Sequence, residues 1–226
     1  MNSHPVIIDI VSDIVCPWCW LGKTYLDQAV AQVPDTEIQI HWRPFMLDAG
    51  IPQSGIPYPE YMQKKFGTGR SDKFKAMRAH LEQAAEPVGI KFKFDDIPIR
   101  PNTLKAHQLL KWAAGQGKSH AVSESLFKAF FQELKDIGDN HVLVSLANDN
   151  GMDGDLVMQL LEAGRDRQAV QNELAYFQKL GINSVPAFIY NGTFAVSGGQ
   201  PPDAHIKAIE KASTTPSKDI MTVLET

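Results

Sequence analysis

The two cysteines of this 226-residue chain are its only ones, and they stand as Cys16-Pro17-Trp18-Cys19 at the junction of two patterns. Before them, residues 6–11 form a short, β-rich apolar run. After them, Leu21, Tyr25, Leu26 and Ala29 recur at helical spacing through residue 33. A second β-rich run, Ile38-Gln39-Ile40-His41-Trp42, then alternates at period two. Strand, CxxC, helix and strand in that order predict a βαβ unit, whose parallel strands are joined by a right-handed crossover.

Residues 48–59 shift to Gly and Pro, the composition of a loop that leaves one domain for another. From 59 to 180 nearly every patterned stretch is helical. Apolar stripes run through Phe74, Met77, Leu81 and Ala84, then Leu126, Phe127, Phe130, Phe131 and Leu134, then Val142, Leu143, Leu146 and Ala147, then Leu156, Val157, Leu160 and Leu161. Gly151 and Gly164 read as helix stops and Asp153 as a start. Beyond Gly181 the pattern returns to strands over 185–190 and 193–196, with Asn191-Gly192 as the hairpin signal between them. A last helix over 202–212 opens on Pro202 and turns Ile206 and Ile209 inward. The predicted class is α/β: residues 1–48 and 181–213 form one domain of βαβ and ββα parts. An all-helical domain is inserted over 59–180, and 214–226 is a surface tail.

Composition narrows the function. With 43% hydrophobic and 21% charged residues the chain has material for a real core. A formal charge of −4 and the lack of a basic stripe exclude nucleic acid as partner. No apolar stretch approaches the roughly 20 residues of a membrane span. The opening residues carry no Lys or Arg before the first strand, so a secretory signal is not expected and a cytoplasmic location is. Two cysteines this close are the opposite of a disulfide framework, and so small a ring adds little stability; the pair's value is chemical. Zinc needs four ligands, whereas His4 and His41 are isolated, so no metal is expected.

A helix beginning at about Cys16 places the i and i+3 side chains on one face, roughly 5 to 6 Å apart at Cβ, and slight tightening of the first turn closes a disulfide. Pro17 suits that turn because its missing N–H has no partner there anyway. The Cys16 sulfur then sits at the positive end of the helix dipole, which favours thiolate over thiol. Cys16 is the expected nucleophile and Cys19, one turn deeper, the resolving thiol of a disulfide exchange. The competing reading of a bare CxxC is a pair of buried structural cysteines. Position tells against it, because the redox motif requires this strand-to-helix context.

Two further segments are specific: Ser12-Asp13-Ile14-Val15, leading into the cysteines and on through Trp20-Leu21-Gly22, and Gly181-Ile182-Asn183-Ser184-Val185-Pro186. Arg43-Pro44-Phe45, Asn102-Thr103 with Ala106-His107, residues 127–136 and Gly198-Gly199-Gln200 add to them. Over nearly the whole chain this pattern resembles the DsbA-type proteins of thioredoxin fold, in particular the cytosolic FrnE-like branch of dithiol-disulfide isomerases. The resemblance implies a cis Val185–Pro186 peptide beside Cys16, with Pro186 part of the catalytic centre and the Val185 backbone offered to an extended substrate. It implies Pro17, Trp18, Asn102 and Gln200 on the substrate side. No cofactor is required. Partners are disulfide-containing proteins or peptides, or glutathione, which related kappa-class glutathione transferases and 2-hydroxychromene-2-carboxylate isomerases bind at the equivalent cleft. The chain is expected as a monomer or homodimer.

Each residue also has a plainer role. Asn102 reads equally as an N-cap, Arg43 as an ion-pair partner, Trp18 as an exposed platform and Trp20 as core. Relatives often carry a buried acid six residues before the nucleophile, where this chain has Ile10. Asp13 reads as a cap on backbone N–H groups, with a water-mediated role open to it, and His107 as packing. Three functions follow: disulfide exchange, glutathione-dependent transfer or isomerisation of a small aromatic compound in an interdomain cleft that the inserted helical domain roofs with apolar walls, and peptide holding without chemistry.

Overall fold

The computed structural model describes residues 5–67 and 71–220. His4 and the end of the predicted tail, 221–226, lie outside them. Strand β1 (Val6–Ser12), helix α1 (Pro17–Val30) and strand β2 (Ile38–Pro44) form the expected unit, with β1 and β2 parallel in the register Val6 to Ile38 through Ser12 to Pro44. A two-residue strand β3 (Ile56–Pro57) leads into α2 (Tyr58–Phe66) and α3 (Asp72–Ala85), and pairs antiparallel with β4 (Ile99–Arg100). Helices α4 (Leu104–Ala114), α5 (Ser119–Phe131), α6 (Asn140–Asp149), α7 (Gly154–Glu162) and α8 (Arg167–Lys179) follow. Strands β5 (Ala187–Tyr190) and β6 (Phe194–Ser197) and helix α9 (Pro202–Ser213) complete the order. The main sheet runs β2-β1-β5-β6, with β5 antiparallel to both its neighbours. This is a mixed α/β architecture of thioredoxin type.

The insertion is therefore not wholly helical. A two-residue pairing is too short to show a period, and β3 and β4 are held by their partner rather than by their own pattern. Strand β5 starts two residues later than the β-rich run because Pro186 has no N–H for the ladder. The hairpin turn is where Asn191-Gly192 placed it: both residues have positive φ, 49° and 63°, and Thr193 N–H donates to Tyr190 O at 3.0 Å. Asn191 does more than turn the chain. Its Oδ1 accepts from Ile7 N–H at 2.8 Å, and its Nδ2 donates to Ala212 O and Thr215 O, tying the hairpin to β1 and the end of α9.

Strand β1 is covered on both faces. Ile8 and Ile10 join a cluster with Leu21, Leu26, Phe127 and Ile209, while Val11 packs with Phe45, Phe177 and Ile189 on the other side. The inserted helices share that first cluster. Trp20 of α1 stacks on Phe127 and Phe131 of α5 at 6.1 and 6.0 Å, and its indole N–H donates to Glu124 at 3.1 Å. On the opposite face Arg43 of β2 bridges Asp9 of β1 at 2.6 Å and Glu173 of α8 at 3.1 Å, an ion pair of the kind expected for it. Phe127 is fully buried between Trp20 and Trp42. Its truncation to Ala is expected to lower stability by about 3 to 5 kcal/mol, read as a lower urea midpoint at unchanged slope.

His205 of α9 is also fully buried, with Nδ1 2.6 Å from Tyr190 Oη and its ring 4.6 Å from that of Phe188. Burial lowers its pKa to about 4, against a smaller opposing effect of the Gln200 backbone. The unfolded chain takes up this proton below about pH 6.5, where the fold refuses it. Stability is thus fully present above about pH 6.5 and falls toward about pH 4, by roughly 3 kcal/mol from this group. Urea unfolding at about pH 7.5 and about pH 4.5 should show that slope in the parent and a flatter one in His205→Gln.

Candidate active site

The turn after β1 sets the position of Cys16. Cys16 N–H donates to Asp13 O at 3.0 Å, and Cys16 is the extended N-cap of α1, with φ −93° and ψ 111° and no side-chain cap. Pro17 occupies the first helical turn, and Cys19 N–H donates to Cys16 O at 3.0 Å, the tightened turn a CxxC ring needs. Both cysteines are free thiols, Cys16 5% and Cys19 1% exposed.

The loop before β5 closes on this turn. Cys16 Sγ lies 3.7 Å from Val185 O, and the Val185–Pro186 peptide is cis. Pro186 is buried against α1 at Gly22, where a Cβ would meet Phe188 Cζ at 3.0 Å and Pro186 Cγ at 3.3 Å, so any larger residue would press these side chains back by a few tenths of an ångström. On the same side a Cβ on Gly199 would come within 3.1 Å of Trp18 Cε3. The two specific segments of the sequence thus meet at the Cys16 sulfur.

Burial pushes the Cys19 thiol well up, and the neighbouring Cys16 adds to it. The Ser12 hydroxyl and the Asp13 backbone N–H offset only part of this. Cys19 therefore holds its proton until something removes it. Asp13 has no exposed surface and accepts from Leu47 N–H at 2.8 Å. Burial would raise its pKa, but His107, Arg100 and the Leu47 N–H together hold it below the usual carboxylate value, so Asp13 is an anion packed behind the cysteine turn. His107 is buried too, with Nε2 donating to Phe45 O at 2.9 Å and lying 3.7 Å from Asp13 Oδ1. Ile10, six residues before Cys16, is fully buried in the apolar core.

In front of Cys16 opens a cavity of about 350 Å³. Val15, Pro17, Trp18 and Val185 wall one side with Cys16, and α2 and α3 close the other with Met62, Phe66, Phe74 and Met77. Three cations border it, each engaged with carboxylates: Lys65 with Asp48 at 2.7 Å, Arg78 with Asp95 at 2.7 Å and Glu82 at 2.8 Å, and Arg100 with Asp48 at 3.5 Å. The wall is therefore chiefly apolar. Trp18 is half-buried rather than an exposed platform, its ring 5.7 Å from His80.

Of the substrate-side residues expected from sequence, the structure brings Pro17, Trp18 and Val185 together around Cys16. Asn102 and Gln200 are elsewhere. Asn102 donates to Ile51 O at 2.6 Å and accepts from Leu104 N–H at 3.0 Å, a turn just ahead of α4, whose N-cap is Thr103 and not the Asn102 expected from sequence. Gln200 is exposed and its amide turns back to Ser197 O at 3.2 Å. An apolar wall from the inserted helices is expected from sequence; that Met62 and Phe66 of α2 and Phe74 and Met77 of α3 supply it is not. The stripe through Phe74 and Met77 reads as core, yet Met77 is 45% exposed because the stripe faces this space instead. Among the described residues no cluster of His, Cys, Asp and Glu is arranged to hold a metal, and no helix is long and apolar enough to cross a membrane.

The family model for the DSBA-like thioredoxin domain matches residues 7–210. The uncharacterized protein YwbO of Bacillus subtilis (strain 168) is 30% identical over 210 residues, 90% of this chain and 96% of that one. Among solved structures, the probable DsbA oxidoreductase SCO1869 of Streptomyces coelicolor is similar with a TM-score of 0.83 and 27% identity, covering 94% of this chain and 93% of that one. The cytosolic disulfide reductase DsbM of Pseudomonas aeruginosa, solved with GSH, shares the fold at a TM-score of 0.60 and 18% identity, over 91% and 98% of the two chains.

Proposed function

Because the chain belongs to the DSBA-like thioredoxin family, we propose that it is a thiol-disulfide oxidoreductase in which Cys16 attacks and Cys19 resolves. The Cys16 thiolate attacks one sulfur of a substrate disulfide, forming a mixed disulfide and releasing the first substrate thiol. Cys19 then attacks the Cys16 sulfur, releases the second thiol and leaves the Cys16–Cys19 disulfide. Two thiols, such as two glutathione molecules, reverse the sequence and restore the dithiol. The single observation that carries this reading is the placement of the two sulfurs. Cys16 stands at a helix N-terminus, lines the cavity and lies beside Val185 O, and Cys19 lies buried one helical turn on.

The apolar wall favours disulfides flanked by apolar groups, on a peptide or a small molecule. Pro17, Trp18 and Val185 contact that flank, and the Val185 carbonyl accepts from an extended peptide backbone. In the cytoplasm, where a reducing poise keeps most dithiols reduced, the chain acts as reductase or isomerase. Equilibrating it with mixtures of reduced and oxidised glutathione and counting thiols by mass is expected to give one reversible two-electron couple. A pair that stays reduced across the series would overturn the proposal.

A second reading, glutathione-dependent transfer or isomerisation of a small aromatic compound, is favoured by the size of the cavity alone. Calorimetry separates the two: this reading requires glutathione to bind a variant with both cysteines replaced by serine, and no heat of binding would remove it.

A further inference from the structure

The resolving step needs somewhere for the Cys19 proton to go, and Cys19 is only 1% exposed to solvent. The structure offers another route. A second cavity, about 140 Å³, lies along the edge strand β2 beneath α4 and is separate from the one in front of Cys16. Its inner wall includes Ser12 and Trp42, its sides Arg43, His107 and Glu173, and its rim the exposed residues Lys111 and Ala114. Ser12 Oγ and Trp42 Nε1 are both buried without a hydrogen-bond partner, although a buried polar atom ordinarily has one. Both border this cavity, which has room for several water molecules. Ser12, at its inner end, acts on the Cys19 thiol and draws its pKa down against burial.

The geometry points to a proton route from the Cys19 thiol, past the Ser12 hydroxyl and through water in this cavity, to His107 as acceptor. This rests on the exchange chemistry proposed above. His107 Nε2 donates to Phe45 O, so Nδ1 is the nitrogen open to a proton. Asp13 Oδ1, 3.7 Å from Nε2, then faces the charge the ring acquires. The other charged groups on the elements around the ring are Arg43 of β2, Lys111 of α4, Glu173 of α8 and Arg100 of β4. Glu173 is held between Arg43 at 3.1 Å and Lys111 at 3.9 Å, and Arg100 is 3.9 Å from Asp13. Glu173 is thus already engaged by two cations. The step balances: the Cys19 S–H proton passes to His107, the Cys19 sulfur bonds to the Cys16 sulfur, and the Cys16 bond to the substrate sulfur breaks. The substrate leaves as thiolate and takes a proton from solvent.

The test mixes the reduced full-length chain with excess 5,5′-dithiobis(2-nitrobenzoate) in a stopped-flow instrument and follows release of the coloured thiolate. The concentration-dependent phase reports attack by Cys16, and the concentration-independent phase reports resolution by Cys19. His107→Gln keeps a donor for Phe45 O but cannot take up a proton. It is expected to slow the second phase about tenfold or more and to move its pH dependence upward, with the first phase as internal control. Ser12→Ala, which removes the hydroxyl that acts on Cys19 and little volume, is expected to slow the second phase in the same way. Unchanged second phases in both variants overturn the route. An effect of Ser12→Ala without one of His107→Gln overturns His107 as acceptor. Equal slowing of both phases in both variants marks a merely structural role and overturns it too. A parent protein that releases no thiolate at all overturns instead the exchange reading on which this rests.

Discussion

Replacing Cys16 with serine is expected to lower turnover of a disulfide substrate by about a hundredfold or more, to the background of uncatalysed exchange. The size of the effect follows from the lack of any substitute. The chain has no cysteine beyond this pair, and Cys19 is 1% exposed, with its thiol held protonated by burial and by the sulfur beside it. A serine at position 16 keeps the cap geometry, because Ser is a favoured N-cap, so the fold and the cavity persist. Insulin reduction coupled to a thiol donor reads the loss directly, and the urea midpoint of the variant confirms that it folds. Full activity in Cys16→Ser would remove Cys16 from the reaction and with it the exchange mechanism.

What made this site legible was position. A CxxC alone is ambiguous, but Cys16 and Cys19 follow one strand and open the helix that leads to its parallel neighbour, so the junction itself specifies a helix N-terminus under the first sulfur. Asn191-Gly192 was equally legible, because positive φ at two successive positions is a demand few residues meet. Patterns with two physical meanings were not. An apolar stripe on a helix is the same whether it meets a core or a cavity, so Phe74 and Met77 gave no sign that they face the space before Cys16. Asn102 has one side chain and two plausible partners; backbone groups hold it, Leu104 N–H close by in the chain and Ile51 O brought from 51 residues away. Nor did the sequence separate the insertion from the sheet as sharply as its composition suggested. Trp20 is distant in the chain from Phe127 and Phe131, and its stacking on both makes one core of α1 and α5. Ser12 and His107 were the least legible, since a buried hydroxyl and a helical histidine gain meaning only from the cavity they share.

Replacing Cys19 with serine separates the two halves of the mechanism and is expected to convert turnover into accumulation. Cys16 keeps its place beside Val185 O and in the cavity lining, so the first attack proceeds and one substrate thiol leaves. The second attack has no nucleophile, because a serine hydroxyl does not displace a thiol from sulfur at neutral pH. The mixed disulfide then persists, and mass spectrometry under non-reducing conditions should find one substrate adduct for nearly every chain, against almost none in the parent. Steady turnover should fall by about tenfold or more at low external thiol and recover as glutathione is raised, since an outside thiolate takes over the resolving attack. The burial of Cys19 sharpens the expectation. In the parent the second thiol sits one helical turn from the first, and its attack is an intramolecular step that outside thiols match only at high concentration. Parent-like turnover in Cys19→Ser at low thiol, with no adduct, would mean that Cys16 works alone and would reassign Cys19 to packing.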